Sequence, residues 1–309
     1  ARRTVLERDP ELVELLFGNV SDTLSQLVRT AFIAKGGHTL FVADFSAIEA
    51  RVIAWLAGES WRMDVFRSHG KIYEASASQM FKIPIESVTK GSPLRQKGKI
   101  AELALGYQGG VGALKTMGAL KMGVSEEELP DLVDQWRSAN PAIVRLWGEV
   151  NAAATKAVAK ETRVPMRFGI AFSFEGGHLY ACLPAGRKLC YLHARIGKNR
   201  FGSPSLLYDG MDQTTKKWGE METYGGKLVE NLVQAIARDC LAVAMVRLDE
   251  AGYPIVFHVH DEVIAEAPDT AENETRLKAM CSLMEEPIPW APDLPLRADG
   301  YVTKYYKKD

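Results

Sequence analysis

Residues 61–163 carry an almost unbroken helical pattern, and this block stands between segments that read as strands. Upstream, Thr39-Leu40-Phe41-Val42-Ala43 is a short apolar strand, followed at once by a helix over 47–57 that stops at Gly58. A shorter apolar helix, 12–17, precedes it and ends at Gly18-Asn19. Downstream, 164–212 turns to short strands and Gly-rich turns, including a hairpin over Cys182–Cys190. Next come a helix over 227–250 and two strands over 255–267 folded on His260-Asp261-Glu262. A proline-rich tail, Pro287 to Pro295, leads into a last strand, 296–302. Within the helical block, Asn140-Pro141 has the signature of an N-cap and first turn. The stripe Ile143, Leu146, Trp147, Val150, Ala154 follows it at helical spacing. This order, a sheet interrupted by helices, predicts the α+β class.

Composition narrows the function classes. Apolar residues make up 47% and charged residues 25%, which excludes disorder and collagen-like chains, and no run approaches the ~20 apolar residues of a membrane span. A formal charge of −1 excludes unspecific coating of nucleic acid by bulk basic charge, but leaves room for a local basic face. The four cysteines, Cys182, Cys190, Cys240 and Cys281, have no CxxC or zinc-like spacing and read as reduced thiols of an intracellular protein, although Cys182 and Cys190 could bridge a hairpin. Beginning at Ala1-Arg2-Arg3-Thr4 without Met or an apolar signal core, the chain reads as processed or truncated.

Two places carry chemistry. Asp44 follows an apolar strand and precedes a helix, which predicts an exposed carboxylate at a sheet edge; its bland role there is a helix N-cap. Asp261 and Glu262 sit between apolar arms, Ile255-Val256-Phe257 and Val263-Ile264, where charge must reach water or be neutralised, and a divalent cation would do so. The bland role for Asp261 is a solvated turn. The second place is a helix on which Arg95, Lys99, Leu103 and Tyr107 recur every four residues along about 18 Å of one face. Two cations and an aromatic at this spacing suit an extended anion at one end and a stacked base at the other. Over 89–120 five cations face Glu102 alone, a local charge of +4, which is either this site or a solvated face. No Walker loop is present, and Gly110-Val111-Gly112 has Lys115 where a dinucleotide fingerprint needs glycine. His258 and His260 have zinc-pair spacing without a third ligand nearby, and Ser46 lies in no nucleophile-elbow sequence.

Taken together, three segments resemble one family. Asp44-Phe45-Ser46-Ala47-Ile48-Glu49-Ala50-Arg51 resembles motif A of the A-family DNA polymerases, the polymerase I lineage. Arg95-x3-Lys99-x7-Tyr107 resembles their motif B, and His258-Val259-His260-Asp261-Glu262 resembles motif C, in the family's order. The helix sequences around Arg95–Tyr107 and Glu230–Asp239 look phage- or prophage-like. The resemblance implies an antiparallel-sheet palm with an inserted, largely helical fingers subdomain: 1–60 palm with motif A, 61–175 fingers with the motif B helix at about 93–108, and 176–309 palm with motif C. It covers nearly the whole chain. The stretch before Asp44 is too short for the family's thumb or exonuclease-type domain, and the Thr-Gly-Arg segment before motif A is missing. This implies a palm-and-fingers portion that works with an N-terminal part on the same or another chain.

The implied activity is template-directed DNA synthesis from dNTPs on a primer–template, in the cytoplasm of a bacterial or phage-infected cell and with no membrane partner. Asp44 and Asp261 would bind two Mg2+ ions about 3.5–4 Å apart, with the Phe45 carbonyl as a further ligand and Glu262 as an auxiliary carboxylate. Arg95 and Lys99 would bind the triphosphate, with Lys99 protonating the leaving group. Tyr107 would lie near the templating base, and Glu49 would be the steric gate against a 2′-hydroxyl. Leu103 takes the place near the sugar that is usually aromatic. Gln234, with Asn231 and Arg238 on the same helix face, would contact primer–template, and His260 the primer terminus. Gln108 replaces the usual glycine after the motif B tyrosine, Tyr73 stands where many members have histidine, and the polar tract 212–224 has no assigned role. Competing readings are a nucleic-acid-binding fragment that turns over only with its N-terminal part, a single-subunit RNA polymerase, which Glu49 disfavours, and a metal-dependent nuclease, which would leave Arg95, Lys99 and Tyr107 without purpose.

Overall fold

The computed structural model describes residues 1–199 and 202–307. Along the chain run α1 (Arg2–Leu6), α2 (Pro10–Phe17), α3 (Val20–Leu27), β1 (His38–Phe45), α4 (Ile48–Ala57), α5 (Ser60–Arg67), α6 (Ile72–Phe81), α7 (Pro93–Leu105), α8 (Val111–Thr116), α9 (Leu129–Ala139) and α10 (Pro141–Lys160). Then follow β2 (Arg163–Pro165), β3 (Ala171–Glu175), β4 (His178–Cys182), β5 (Lys188–Lys198), β6 (Pro204–Met211), β7 (Trp218–Thr223), α11 (Gly225–Glu250), β8 (Ile255–Val259), β9 (Glu262–Pro268), α12 (Asn273–Glu285) and β10 (Ala298–Thr303). This is the α+β class. Among the described residues no helix is long and apolar enough to cross a membrane.

Contacts divide the chain into two units. The first holds Ala1–Ser46, Leu241–Glu286 and Arg297–Asp309. Its sheet has the order β10-β1-β9-β8 with every pair antiparallel. β1 is an interior strand, and five consecutive residues, Thr39 to Ala43, are buried, as expected of a strand covered on both faces. One face packs Leu40, Val42, Ile264 and Tyr306. On the other, α12 lies against β1 and β10 with Leu277, Met280 and Met284 buried. Gly300 of β10 is required by this packing: a Cβ there would come within 2.5 Å of the Val42 carbonyl oxygen.

The second unit holds Ala47–Cys240 and Pro287–Leu296. It contains the helical block and a six-stranded antiparallel sheet, β2-β3-β4-β5-β6-β7. Of the strands expected with the second palm segment, β4 to β7 group with the helices, while β8, β9 and β10 belong to the first unit; α10 packs on β2, β3, β4 and β5 and buries Val150, Ala153, Ala154, Ala157 and Val158. The polar tract 212–224 supplies the turn into β7 and the whole of that strand. All four cysteines are free thiols, so Cys182 and Cys190 do not bridge.

Local signals explain some helix ends. Asp9 and Asn19 cap α2 and α3, accepting from Leu12 N at 3.1 Å and Asp22 N at 3.0 Å. Asn140 does not behave as its sequence suggests. Its amide oxygen accepts from Arg62 Nε at 2.6 Å and its nitrogen donates to the Trp136 carbonyl at 2.8 Å. The start of α10 is capped instead by Glu59, whose Oε2 accepts from Ala142 N at 2.8 Å. A buried guanidinium needed the amide more than the helix did, and a second carboxylate was in reach.

Candidate active site

The first unit gathers the motif A and motif C carboxylates. β1 extends through Phe45, so Asp44 belongs to the strand; it is exposed, as the sequence predicts, but β1 is interior, so Asp44 is not at the predicted sheet edge, and it does not cap α4. Antiparallel register sets Asp44 opposite Glu262 of β9 on one side and opposite Asp299 of β10 on the other. Directly opposed residues share a face, so three acidic side chains form a row across β10, β1 and β9. Asp261 joins them from the two-residue turn between β8 and β9, where its carbonyl accepts from Phe45 N at 3.2 Å. His260, exposed, occupies the left-handed region of that turn at φ 53. Asp44, Asp261, Glu262, Asp299, His260 and Arg29 line an open cleft of about 340 Å³.

Glu262 is held from behind. Its Oε1 accepts from the hydroxyl of Tyr306, a residue 2% exposed, and lies 3.4 Å from Arg29 Nη1. Arg29 also donates to the Tyr306 hydroxyl at 2.9 Å. Asp299 accepts from Ser46 Oγ at 2.6 Å, beside the Phe45 peptide. None of Asp299, Arg29 and Tyr306 was singled out in the sequence: each is a lone residue without a motif, and only strand register and core packing bring them here.

The carboxylates fit a hard divalent cation in kind. Like charges directly opposed across strands repel, and a cleft lined by oxygen donors and open to water is what such an ion uses. Among the described residues no three His, Cys, Asp or Glu side chains close into a cation cage; Mg2+ commonly keeps its waters and binds one or two carboxylates together with substrate phosphates. Among the described residues, His258 and His260 are joined by no third His, Cys, Asp or Glu in a metal-binding group.

The second unit carries the basic helix. α7 begins with Ser92 accepting from Arg95 N at 3.3 Å and Pro93 in the first turn. It ends at Leu105, short of the expected 108, so Tyr107 lies beyond the helix. The break comes where Gln108, in the place of the family's usual glycine, adopts φ 63, with its Oε1 accepting from Gly226 N at 2.9 Å. The Trp147 indole donates to the freed Gly106 carbonyl at 2.9 Å. Tyr107 donates to Glu49 Oε2 at 2.6 Å. Burial, and then the charge and hydrogen bond of Glu49, push its phenol well above the ordinary tyrosine range. Leu103 is 49% exposed.

The local charge of +4 does not stand unopposed. Arg95 Nε donates to Glu74 Oε1 at 2.6 Å, Lys97 pairs with Glu128 and Lys115 with Glu126, so distant acids supply the balance that the segment lacks. Burial would raise the Glu74 carboxyl, but the Arg95 hydrogen bond and the nearby cations hold it below the usual range. Glu102 turns inward to a bidentate pair with Arg62 at 2.7 and 2.5 Å. Lys99 has no acidic partner among the described residues. On α11, Gln234 and Arg238 are exposed, whereas Asn231 donates to the Tyr191 hydroxyl at 2.9 Å.

Comparisons with known proteins identify the family and the fold. The sequence profile described as DNA polymerase family A matches residues 7–308. The chain is 59% identical over 300 residues to a DNA polymerase of Bacillus phage SP02, covering 97% of this chain and 46% of the phage protein. It is 28% identical over 297 residues to the thermostable DNA polymerase I of Thermus thermophilus, covering 94% of this chain and 29% of that enzyme. It thus spans less than half the length of either relative. Among solved structures, one described as the POL domain of Pol1 from M. smegmatis in complex with DNA primer-template and dNTP shares the fold, with a TM-score of 0.62 and 21% identity, over 91% of this chain and 42% of that one.

Proposed function

Because the chain belongs to DNA polymerase family A, we propose that it is the polymerase portion of a phage-type, template-directed DNA polymerase. It would transfer a nucleotidyl group from a dNTP to a primer 3′-hydroxyl with two Mg2+ ions as cofactors. In the family's terms 1–60 and 176–309 are read as palm and 61–175 as fingers, acting in a bacterial or phage-infected cytoplasm. The observation that carries the reading is the acidic row Asp299–Asp44–Glu262 with Asp261 at its end, in a family whose motifs supply three of those four residues.

The chain's own residues divide the work. Asp44 and Asp261, with the Phe45 carbonyl, would hold the ions, which supply charge neutralisation at the reacting phosphate and acidify the primer hydroxyl. Glu262, fixed by Tyr306 and Arg29, keeps a second acidic group beside them. As the 3′-oxygen bonds to the α-phosphorus and the bond to pyrophosphate breaks, Arg95 and Lys99 would balance the triphosphate charge and Lys99 would give a proton to the leaving group. Glu49, tied to Tyr107, would bar a 2′-hydroxyl, with Leu103 near the sugar. Gln234, Asn231, Arg238 and His260 would contact primer–template. A second reading, a binding portion that turns over only with an N-terminal part, is favoured by the 46% coverage of the phage relative.

Primer extension separates them. The chain alone is expected to incorporate dNTPs in Mg2+, and Asp44→Asn or Asp261→Asn to lower the rate by orders of magnitude with an unchanged circular dichroism spectrum. Near-normal extension by either variant would overturn the assignment, and activity that appears only when the N-terminal half of the phage relative is added would establish the second reading. Glu49→Ala is expected to admit ribonucleotides in a matched comparison with deoxynucleotides.

A further inference from the structure

Arg95 stands in the first turn of α7, where the positive end of the helix dipole disfavours a cation. It is held there by α6. At their contact, a Cβ on Gly98 would come within 2.4 Å of the Tyr73 carbonyl oxygen, so only glycine lets the two backbones approach this closely. One turn before Gly98, Arg95 then meets Glu74 through Nε–Oε1 at 2.6 Å, with its guanidinium carbon 5.5 Å from the centre of the Tyr73 ring. Both partners of the ion pair are mostly shielded, with side-chain exposures of 22% and 15%. The pair uses the inner nitrogen. The two terminal nitrogens, which carry four N–H groups, have no acceptor among the described residues.

We propose that Glu74 is a positioning residue for the incoming nucleotide: it aims the terminal nitrogens of Arg95 at the triphosphate, with the Tyr73 ring beside the guanidinium. This rests on the polymerase reading above, in which Arg95 binds that triphosphate. Two effects of Glu74 oppose each other. Its charge weakens the pull of Arg95 on a polyanion, while its bond removes the rotational freedom of a long side chain that would otherwise be lost on binding. The geometry favours the second effect, because the donor it occupies is the one a bidentate phosphate contact can spare.

The test is equilibrium binding of dATP in Mg2+ to the 309-residue chain, followed by tryptophan quenching, alongside KM and kcat for single-nucleotide incorporation. Arg95→Ala is expected to weaken dATP binding by about tenfold or more; if it does not, the assignment of Arg95 fails whatever Glu74 does. Given that loss, Glu74→Ala and Glu74→Asp are expected to raise Kd and KM by about fivefold with kcat within about twofold, and Glu74→Gln, whose amide oxygen still accepts from Nε, to stay close to wild type. Adding Glu74→Ala to Arg95→Lys should cost nothing more. Unchanged or tighter binding in Glu74→Ala, or equal losses in Glu74→Gln and Glu74→Ala, would overturn the proposal. Thermal melts of each variant identify a loss of fold, and Glu74→Gln, which leaves the volume unchanged, keeps the comparison decisive if Glu74→Ala melts early.

Discussion

Asp299 shows what a single position can hide. In the sequence it is one aspartate before Gly300 in a C-terminal strand, and no spacing rule marks it. Register makes it the cross-strand partner of Asp44, which faces Glu262 on the other side. Opposed like charges cost a few tenths to about 1 kcal/mol each, so the row carries repulsion that a bound cation would relieve. Asp299→Asn is therefore expected to raise the Tm of the metal-free chain slightly and to shrink the further rise on adding Mg2+, both read in one thermal-shift titration. An unchanged Mg2+ response would separate Asp299 from the ion site. The motif carboxylates Asp44, Asp261 and Glu262 were legible because their neighbours form recurrent words. Asp299, Arg29 and Tyr306 were not, since the side chains they meet lie at least 44 positions away along the chain.

Helix α7 makes the corresponding point for an element. Its existence and its basic face were readable from spacing, whereas its Ser92 cap came only with the structure. Its electrostatic balance was not, because Glu74, Glu126 and Glu128 come from other segments. Nor was its anchor. Arg62 and Glu102, with side chains 1% and 5% exposed, pair through two hydrogen bonds, and Trp136 donates to the same carboxylate at 3.0 Å. Removing one partner of such a pair leaves a buried charge uncompensated, at a cost of roughly 3–5 kcal/mol. Arg62→Met or Glu102→Leu should thus lower stability by that amount in urea unfolding, whereas the double variant should recover much of it. A loss below about 1 kcal/mol in either single variant would show that α7 is anchored elsewhere. Helix ends followed the same division: Asp9 and Asn19 cap as their positions suggest, while Asn140 yields its capping role to Glu59 because Arg62 claims it.

Across the chain, thiol chemistry gives a broad check on which surfaces are covered. Cys190 is exposed, Cys182 and Cys240 are buried, and Cys281 is half-buried. Burial, then Asp239, pushes the Cys240 thiol up to about 12; burial, then Asp299, Glu285 and Asp44, pushes Cys281 up to about 11. A native chain at neutral pH should accordingly show one fast-reacting thiol, Cys190, and all four only after denaturation. Rapid modification of Cys281 would contradict the packing of α12 on β1 and β10. The class, the helical block, the hairpin at His260-Asp261 and the three motifs all followed from local order, because periodicity, turn chemistry and short recurrent words are properties of neighbours along the chain. Where the units part, which acids answer the basic helix, and which fourth carboxylate faces Asp44 were settled by folding, because ion pairing, burial and strand register act between residues that the sequence keeps far apart.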